Sequence, residues 1–519
     1  GNARHEQGDF DGAMIALQRA REINAQSSLV HINIGRLLTS MDRHEEACLM
    51  LEQAALLEPQ DPQPLLELGQ ALTAIDHAPS ALKALGTAAR LNPKDPKIFV
   101  AIGIAFTDLS DQLQAERAFR FAIQADPDFL PAYLNLGMLL EKANRVDDLA
   151  KILASARARN LAGDDLDYLE ALLLSRKGET ERALEMARKV RPGAVHSATL
   201  HQFTGQLADK IGDIEAAFVA YEEMNRSMAE TPMGVSVDRS AYQRAIAGMT
   251  AKVTSDWFAS WPTTETILQP ASPTFLVGFP RSGTTLMDTM LMGHSATHVL
   301  EEIPIIETLS QKVGDVENVA KLTKQEVASL RRLYFEELAK FSPPSDGAMV
   351  IDKNPLSMIR MPLIHRLFPD AKIILAMRHP CDVVLSNYMQ NFKPTEAMAS
   401  FLDLPNASRT YDRIFSYWEQ CCKVLPFDVH MIRYEAMVDD LEASARPLFS
   451  FLGLPWEDKV LDTQRTAVDR GYIRTPSYAQ VTEKIYASAS GRWQRYRGYM
   501  NEILPILEPW VLRYGYRLD

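Results

Sequence analysis

The chain has 519 residues, of which 46% are hydrophobic and 24% charged, a composition that allows two or three globular domains. Its formal net charge of −12 argues against a surface built for nucleic acid or an anionic membrane, since either needs a net basic face. The four cysteines form no CxxC pair, which argues against a disulfide framework and indicates reduced thiols in a cytoplasmic setting. No apolar run approaches the roughly 18 to 20 residues that span a bilayer.

Small residues recur every 34 positions through the first half of the chain. This period is typical of tetratricopeptide repeats, in which small residues let paired helices approach closely and proline closes the second helix. The series are Gly35, Gly69, Gly103, Gly137 and Gly205; Ala13, Ala47, Ala81, Ala115, Ala183 and Ala217; Ala20, Ala54, Ala88 and Ala122; and Pro59, Pro93 and Pro127. We predict about seven helix-turn-helix units over residues 1–230, stacked into an α-helical solenoid whose groove binds a protein partner.

Residues 231–272 follow the repeats and lack their period. They contain a predicted helix near residues 237–253, then Trp257 and Trp261, then a segment rich in proline. We interpret this stretch as a helical connector that docks through its tryptophans.

An apolar strand then breaks into a glycine-bounded loop over residues 274–285. Gly278 and Gly283 allow close approach of the backbone, and the helix that follows directs its free N–H groups at an anion. Thr284 stands where a nucleotide triphosphatase needs Lys. The loop is therefore predicted to hold a phosphate without handling a triphosphate; the alternative is a strand, turn and helix with no ligand.

Further β-type runs at residues 348–351, 372–377 and 429–432 alternate with helical stretches near 286–293, 356–368, 380–391 and 408–425. This alternation predicts an α/β domain with a central parallel sheet. Ligands of such sheets bind outside the carboxyl ends of the strands. Lys353, Arg378 and Tyr434 follow three of these runs, so we expect them to converge with the glycine-bounded loop on one site.

Residues 280–286, with Arg281 and Ser282 ahead of Gly283, resemble the 5′-phosphosulfate loop of sulfotransferases that use 3′-phosphoadenosine 5′-phosphosulfate (PAPS). The closest likeness is to protein-tyrosine sulfotransferases, and it extends over residues 273–519. It implies a P-loop-like sulfotransferase domain that consumes PAPS, releases adenosine 3′,5′-bisphosphate and needs no metal. The nucleotide-binding residues that it implies are Arg281, Ser282, Gly283, Thr284, Thr285, Arg378, Ser386, Tyr434, Ser477, Gln480 and Arg492.

The same resemblance implies catalytic roles. Glu302 corresponds to the base that takes the acceptor proton, and Lys353 to the cation that neutralises the leaving oxygen. Arg281 and Ser477 would assist.

Other interpretations of these residues stay open. Glu301 and Glu302 could cap a helix, Arg378 could pair with Asp382, and Tyr434 could cap the sheet. The chain also departs from the family pattern at two positions, with Gln390 where a basic residue often stands and Pro304 where protein-tyrosine sulfotransferases have Arg.

The chain is thus expected to be a PAPS-dependent sulfotransferase with a hydroxyl acceptor on a protein, peptide or glycan, a protein tyrosine being one candidate. The repeats would recruit the substrate or a partner. Fusion of such repeats to such a domain is similar to a bacterial arrangement. The alternative is a carbohydrate, lipid or small-molecule sulfotransferase whose repeats only mediate assembly. A scaffold with an inactive transferase domain and a P-loop kinase are the competing classes.

Overall fold

The computed structural model describes residues 1–193, 195–262, 270–345, 347–470 and 490–518. The chain divides into two compact units, Gly1–Ser236 and Val237–Asp519. The first is built of helices and the second carries a five-stranded parallel sheet. The predicted fold class, a helical solenoid followed by an α/β domain, is therefore confirmed. The division into residues 1–230, 231–272 and 273–519 stays a prediction.

The first unit consists of consecutive antiparallel helix pairs, because each pair presents one apolar face that only the next pair can bury. Its helices are Asn2–Glu6, Phe10–Ile23, Ser28–Ser40, His44–Leu57, Pro62–Ala74, Ala78–Leu91, Pro96–Asp108, Gln112–Ala125, Leu130–Lys142, Val146–Ala158, Asp164–Arg176, Thr180–Ala187, Ser197–Ile211 and Ile214–Ala229, with a short helix Pro232–Ser236.

Glycines of the 34-residue series lie where two helices of the first unit approach closely, within a pair at Gly35, Gly69 and Gly103 and between successive pairs at Gly137. A Cβ atom added at Gly35 would lie 2.7 Å from Leu51, and one at Gly69 would lie 2.4 Å from Leu85. The same clash recurs at Gly103 with Phe119, where the distance is 2.3 Å. Since real Cβ atoms do not come so close, any larger residue at these positions would force the two helices apart.

The turn inside each pair shows a periodicity that the sequence analysis missed. One residue per repeat, always 34 positions after the last, has a positive φ between 55° and 83°. These residues are Gly8, Asp42, Asp76, Ser110, Asn144, Gly178 and Gly212. Gly, Asn and Asp tolerate this left-handed conformation best, so the series follows from the turn geometry.

The sheet of the second unit has the strands β1 (Thr274–Gly278), β2 (Thr297–Glu301), β3 (Met349–Lys353), β4 (Lys372–Met377) and β5 (Asp428–Arg433). Their order is β2-β3-β1-β4-β5, and every neighbouring pair is parallel. After β1 the chain forms β2 and β3 on one side of β1, and it then crosses to form β4 and β5 on the other side. Ligands of such sheets bind beside the carboxyl end of the strand where this reversal occurs, which is β1.

The described helices of the second unit flank this sheet. They are Ala241–Lys252, Ser255–Ala259, Thr284–Met292, Ile305–Val313, Val316–Lys321, Lys324–Phe341, Met361–Leu367, Pro380–Tyr388, Leu404–Val424, Tyr434–Asp439, Leu441–Leu452, Thr463–Arg470, Arg497–Met500 and Leu504–Arg513, with 3₁₀ turns at Pro355–Arg360, Met398–Phe401, Asp458–Leu461 and Arg492–Tyr496. Among these helices and those of the first unit, none combines the length and apolarity that crossing a membrane requires.

Helix Thr284–Met292, called the loop helix below, is fixed by a buried apolar cluster. Its Met287, Met290 and Leu291 pack with Leu276 of β1 and Phe449 of helix Leu441–Leu452, and all five side chains are buried. Packing at this density leaves the helix little freedom to shift. The loop that precedes it, residues 279–283, is therefore held at both ends.

The helix expected near residues 237–253 is found at Ala241–Lys252 and belongs to the second unit. The Gln243 amide donates to the Asn406 carbonyl at 3.1 Å and to the Thr410 hydroxyl at 3.0 Å. The Gln420 amide donates to the Val253 carbonyl at 2.7 Å. These bonds fasten the helix to Leu404–Val424.

Candidate active site

The loop after β1 lies very close to its neighbours. A Cβ atom at Gly278 would sit 2.7 Å from the carbonyl oxygen of Ala376, and one at Gly283 would sit 2.4 Å from the ring of Tyr434. Gly283 also has φ +86°, and Arg281, a non-glycine residue, has φ +70°. Gly283 is the N-cap of the loop helix and supplies no side-chain cap. The loop therefore leaves the first amides of a nine-residue helix without a side-chain cap, and such amides are donors of the kind that bind anions.

Four side chains predicted to bind the nucleotide meet around this loop, and we call Arg281, Arg378, Ser386 and Tyr434 the arginine cluster. The Arg281 Nε donates to the Ser386 hydroxyl at 3.3 Å. Arg378 donates to the Arg281 carbonyl at 3.1 Å, and its guanidinium lies 4.9 Å from the centre of the Tyr434 ring. Burial is the main cause that raises the pKa of Tyr434, so this phenol stays neutral. Guanidinium groups of this kind bind phosphate through paired donors.

Ser386 is positioned by its neighbour in helix Pro380–Tyr388. The fully buried Asn387 amide donates to the carbonyl of Pro280 in the loop at 2.8 Å and to the Val383 carbonyl at 2.9 Å. The first bond ties the helix to the loop and the second stays within the helix, so the Ser386 hydroxyl and the loop are held in one geometry. Asn387 was not among the residues predicted from the sequence, although an amide inside an apolar helix is a signal of such a contact.

The predicted base and cation also meet. The Lys353 Nζ lies 2.8 Å from a Glu302 carboxylate oxygen, and the Glu302 N–H donates to the Lys353 carbonyl at 2.8 Å. Glu302 has φ +51°, an unfavourable conformation for a non-glycine residue that the surrounding structure must hold in place. Helix Ile305–Val313 starts after Pro304 with no side-chain cap. Neither glutamate therefore caps it, and Glu301 instead ends β2.

Two more carboxylates surround Lys353. The Nζ lies 3.1 Å from an Asp288 oxygen and 3.6 Å from a Glu301 oxygen. Lys353 and these three carboxylates, Asp288, Glu301 and Glu302, form what we call the lysine cluster. Burial disfavours the charged ammonium, but the carboxylates outweigh this effect and raise the pKa of Lys353. Lys353 is thus a cation at any physiological pH. Strand β2 and Asp288 were both absent from the sequence-based prediction.

The segment after residue 489 is held by Asp382. Its carboxylate accepts from the Gly491 N–H at 2.7 Å and from the Trp493 N–H at 2.8 Å. The Trp493 ring stacks on His379 with 5.2 Å between ring centres. The backbone on both sides of Arg492 is thereby fastened to the start of helix Pro380–Tyr388.

The remaining predicted residues fall into two groups. Ser282, Thr284 and Thr285 are buried at the junction of the loop and the loop helix. Ser477 and Gln480 lie outside the described residues. The structure thus brings Arg281, Gly283, Arg378, Ser386 and Tyr434 together, and it brings Glu302 together with Lys353.

A parallel sheet with a glycine-bounded loop after its central strand and two arginines beside that loop is an arrangement typical of domains that bind phosphorylated ligands. Comparison with known proteins assigns both units of the chain to known domain families. The sulfotransferase family model matches residues 273–458, and the tetratricopeptide repeat model matches residues 30–61. The second unit therefore carries a sulfotransferase-family domain, and the first carries tetratricopeptide repeats.

Curated relatives agree with this assignment. Protein-tyrosine sulfotransferase 1 of Danio rerio is 26% identical over 262 residues, covering 47% of this chain and 71% of its own. Protein-tyrosine sulfotransferase 2 of Gallus gallus is 26% identical over 258 residues, which make up 47% of this chain and 68% of that protein. An uncharacterized protein of Aquifex aeolicus (strain VF5) is 30% identical over 252 residues, which make up 46% of this chain but only 32% of that protein. Protein-tyrosine sulfotransferases are thus homologues of about half of this chain.

Among solved structures, a tetratricopeptide repeat protein from Parabacteroides merdae ATCC 43184 is 18% identical, with a TM-score of 0.37, over 44% of this chain and 90% of that one. The fold of the first unit is assigned from its own helix pairs and from the close helix contacts at its glycines.

Proposed function

We propose that this protein is a PAPS-dependent sulfotransferase that moves a sulfuryl group to a hydroxyl acceptor. The observation that carries the proposal is the arginine cluster. Arg281 and Arg378 come from elements almost a hundred residues apart in sequence, yet they touch beside the glycine-bounded loop together with Ser386. The loop suits one phosphate group, and the two arginines and a serine suit a second.

The nucleotide fits the residues that are present. Glycine at positions 278 and 283 lets the loop backbone lie directly against Ala376 and Tyr434, where a Cβ atom would clash, and so holds the loop beside the arginine cluster. Thr284, in place of the lysine of a triphosphatase, supports a ligand with a single phosphate at this end. The cationic side chains of Arg281 and Lys353 then take the place of the metal ion that triphosphates require.

Glu302 and Lys353 have the chemistry that the transfer needs. PAPS, when bound, supplies an activated sulfuryl group. The acceptor oxygen forms a bond to sulfur, the bond between sulfur and the 5′-phosphate oxygen breaks, and the hydroxyl proton goes to Glu302. Lys353 stabilises the negative charge that develops on the leaving oxygen, and Arg281 and Ser477 assist. The products are the sulfate ester and adenosine 3′,5′-bisphosphate.

The acceptor is a hydroxyl on a protein, peptide or glycan, recruited by the repeat unit. Curated homologues act on protein tyrosine by their names, which supports a tyrosine acceptor. Pro304, which stands where protein-tyrosine sulfotransferases have Arg, supports a carbohydrate, lipid or small-molecule acceptor instead, because it removes a cation that would favour an acidic peptide. All four cysteines are free thiols, which supports a cytoplasmic protein, and the fusion of repeats to a sulfotransferase domain supports a bacterial one.

Calorimetry tests the proposal. Adenosine 3′,5′-bisphosphate should bind more tightly than ATP, and Arg378→Ala should weaken its binding by about tenfold or more, since a hydrogen bond from a charged donor contributes about 1.5–3 kcal/mol. Arg446→Ala is the matched control. Arg446 is exposed, and it pairs with Glu442 within helix Leu441–Leu452, which carries none of the proposed nucleotide contacts. ATP binding that equals or exceeds bisphosphate binding would refute the proposal.

A further inference from the structure

The carboxylates of the lysine cluster differ in how far they are exposed to solvent. The side chains of Asp288 and Lys353 are both 0% exposed, whereas the Glu302 side chain is 41% exposed. Glu302 is therefore the partner that an acceptor hydroxyl can reach. Asp288 sits behind Lys353 on the loop helix, where the Thr289 hydroxyl donates to its other carboxylate oxygen at 3.3 Å.

We propose that Asp288 is a positioning residue that keeps Lys353 protonated and in place while Glu302 takes up the acceptor proton. This inference rests on the proposed function, because it requires Glu302 to act as the base. Once Glu302 gains a proton it becomes neutral, and its attraction for the ammonium is lost. Lys353 must stay charged at that moment, since negative charge then develops on the leaving oxygen.

A buried ammonium without a carboxylate partner is strongly disfavoured. Of the carboxylates that remain when Glu302 is neutral, Asp288 is closer to the Nζ than Glu301, at 3.1 Å against 3.6 Å. Asp288 is also the fully buried carboxylate of the cluster, whereas Glu302 is the exposed one. Asp288 thus remains the counter-ion of Lys353 throughout the reaction. The nearby carboxyl group of Asp352 belongs to a different contact, since it accepts from the Tyr334 hydroxyl at 2.9 Å.

Unfolding experiments test this role without an acceptor. Glu302→Gln reproduces the neutral state of the base. The six tryptophans, Trp257, Trp261, Trp418, Trp456, Trp493 and Trp510, all lie in the second unit, so their fluorescence in urea follows that unit alone. We expect Asp288→Asn to lower the urea midpoint more in the Glu302→Gln background than in the wild type. Equal shifts in both backgrounds would overturn the proposal.

Two further variants separate positioning from general structural damage. Asp352→Asn removes a buried carboxyl next to Lys353 in sequence, and its midpoint shift should be the same in both backgrounds. Asp288→Glu keeps the charge and should restore most of the lost midpoint. If Asp288→Asn alone does not fold, adding Lys353→Met should restore folding, because the unpaired ammonium is then gone. Failure of that rescue would overturn the proposal.

Turnover gives a separate readout, measured as bisphosphate release from PAPS with 4-nitrophenol or water as acceptor. Asp288→Asn should reduce kcat about 100-fold through misplacement of Lys353, leave KM for PAPS within about threefold, and move the alkaline limb of the pH profile to lower pH. Wild-type kinetics in this variant would overturn the inference. A wild-type protein that releases no bisphosphate would instead count against the proposed function, and the unfolding experiments would then decide about Asp288.

Discussion

Replacing Gly283 by alanine should damage both the stability of the second unit and its nucleotide site. At φ +86° a residue with a Cβ costs about 1–2 kcal/mol. The new Cβ would also lie 2.4 Å from the Tyr434 ring, and overpacking of this kind costs about 1–3 kcal/mol. We therefore expect a loss of about 2–5 kcal/mol in the free energy of unfolding of the second unit.

Gly453→Ala is the matched control. Gly453 has φ +78°, but the nearest atom to its added Cβ is 3.9 Å away, so only the backbone cost of about 1–2 kcal/mol applies. The assay is urea unfolding followed by tryptophan fluorescence. Calorimetry with adenosine 3′,5′-bisphosphate should show weaker binding in Gly283→Ala alone, because the displaced Tyr434 ring lies under the Arg378 guanidinium.

The clash between position 283 and the Tyr434 ring can be tested by a double substitution. Tyr434→Ala removes the ring that Gly283→Ala would strike, so the alanine at position 283 should cost about as much in that background as Gly453→Ala costs in the wild type. Equal losses for Gly283→Ala with and without Tyr434 would refute the reasoning, as would equal losses for the two glycine variants.

Three other predictions concern separate parts of the molecule. Gly69→Ala should lower the melting temperature followed by circular dichroism, because its Cβ would lie 2.4 Å from Leu85, whereas Gly86→Ala, with no atom within 4 Å, should raise it slightly through helix propensity. Burial raises the pKa of Asp352 from 3.8 to about 7, so the stability present at low pH is lost as pH rises from about 4 to 7. Between pH 5 and 8 the wild type should therefore lose about 2–3 kcal/mol relative to Asp352→Asn, as measured by urea unfolding. Asp382→Ala should leave the Gly491 and Trp493 amides without their acceptor, and mass spectrometry after limited proteolysis should show faster cleavage near these residues.

The parts of the structure that the sequence predicted are those where one local requirement repeats or where one segment is complete in itself. The glycines at 34-residue intervals could be found because the helix contacts opposite Leu51, Leu85 and Phe119 each need a small residue. The loop around Gly283 could be found because strand, loop and helix are contiguous. In both cases the physical cause lies within a few tens of residues.

The lysine cluster could be predicted only in part, for a different physical reason. Its members come from the loop helix, from the end of β2 and from β3, and only the sheet order brings them together. Strand β2 lies at an edge of the sheet with most of its side chains half-buried, so its sequence lacks the apolar run of an inner strand. Asp288 has no local signature beyond being a charged residue among apolar neighbours.

The loop helix gives the two clusters a common frame. Arg281 precedes it and touches Ser386 and Arg378, while Asp288 lies four residues inside it, roughly 6 Å along its axis, and pairs with Lys353. The helix is packed into the sheet core, so its two ends cannot move independently. The nucleotide contacts and the charge at the reacting atoms are therefore linked through one rigid element. A substitution that displaces this helix, such as Met290→Ala, should weaken bisphosphate binding and lower kcat together, whereas one confined to either cluster should change mainly one of them.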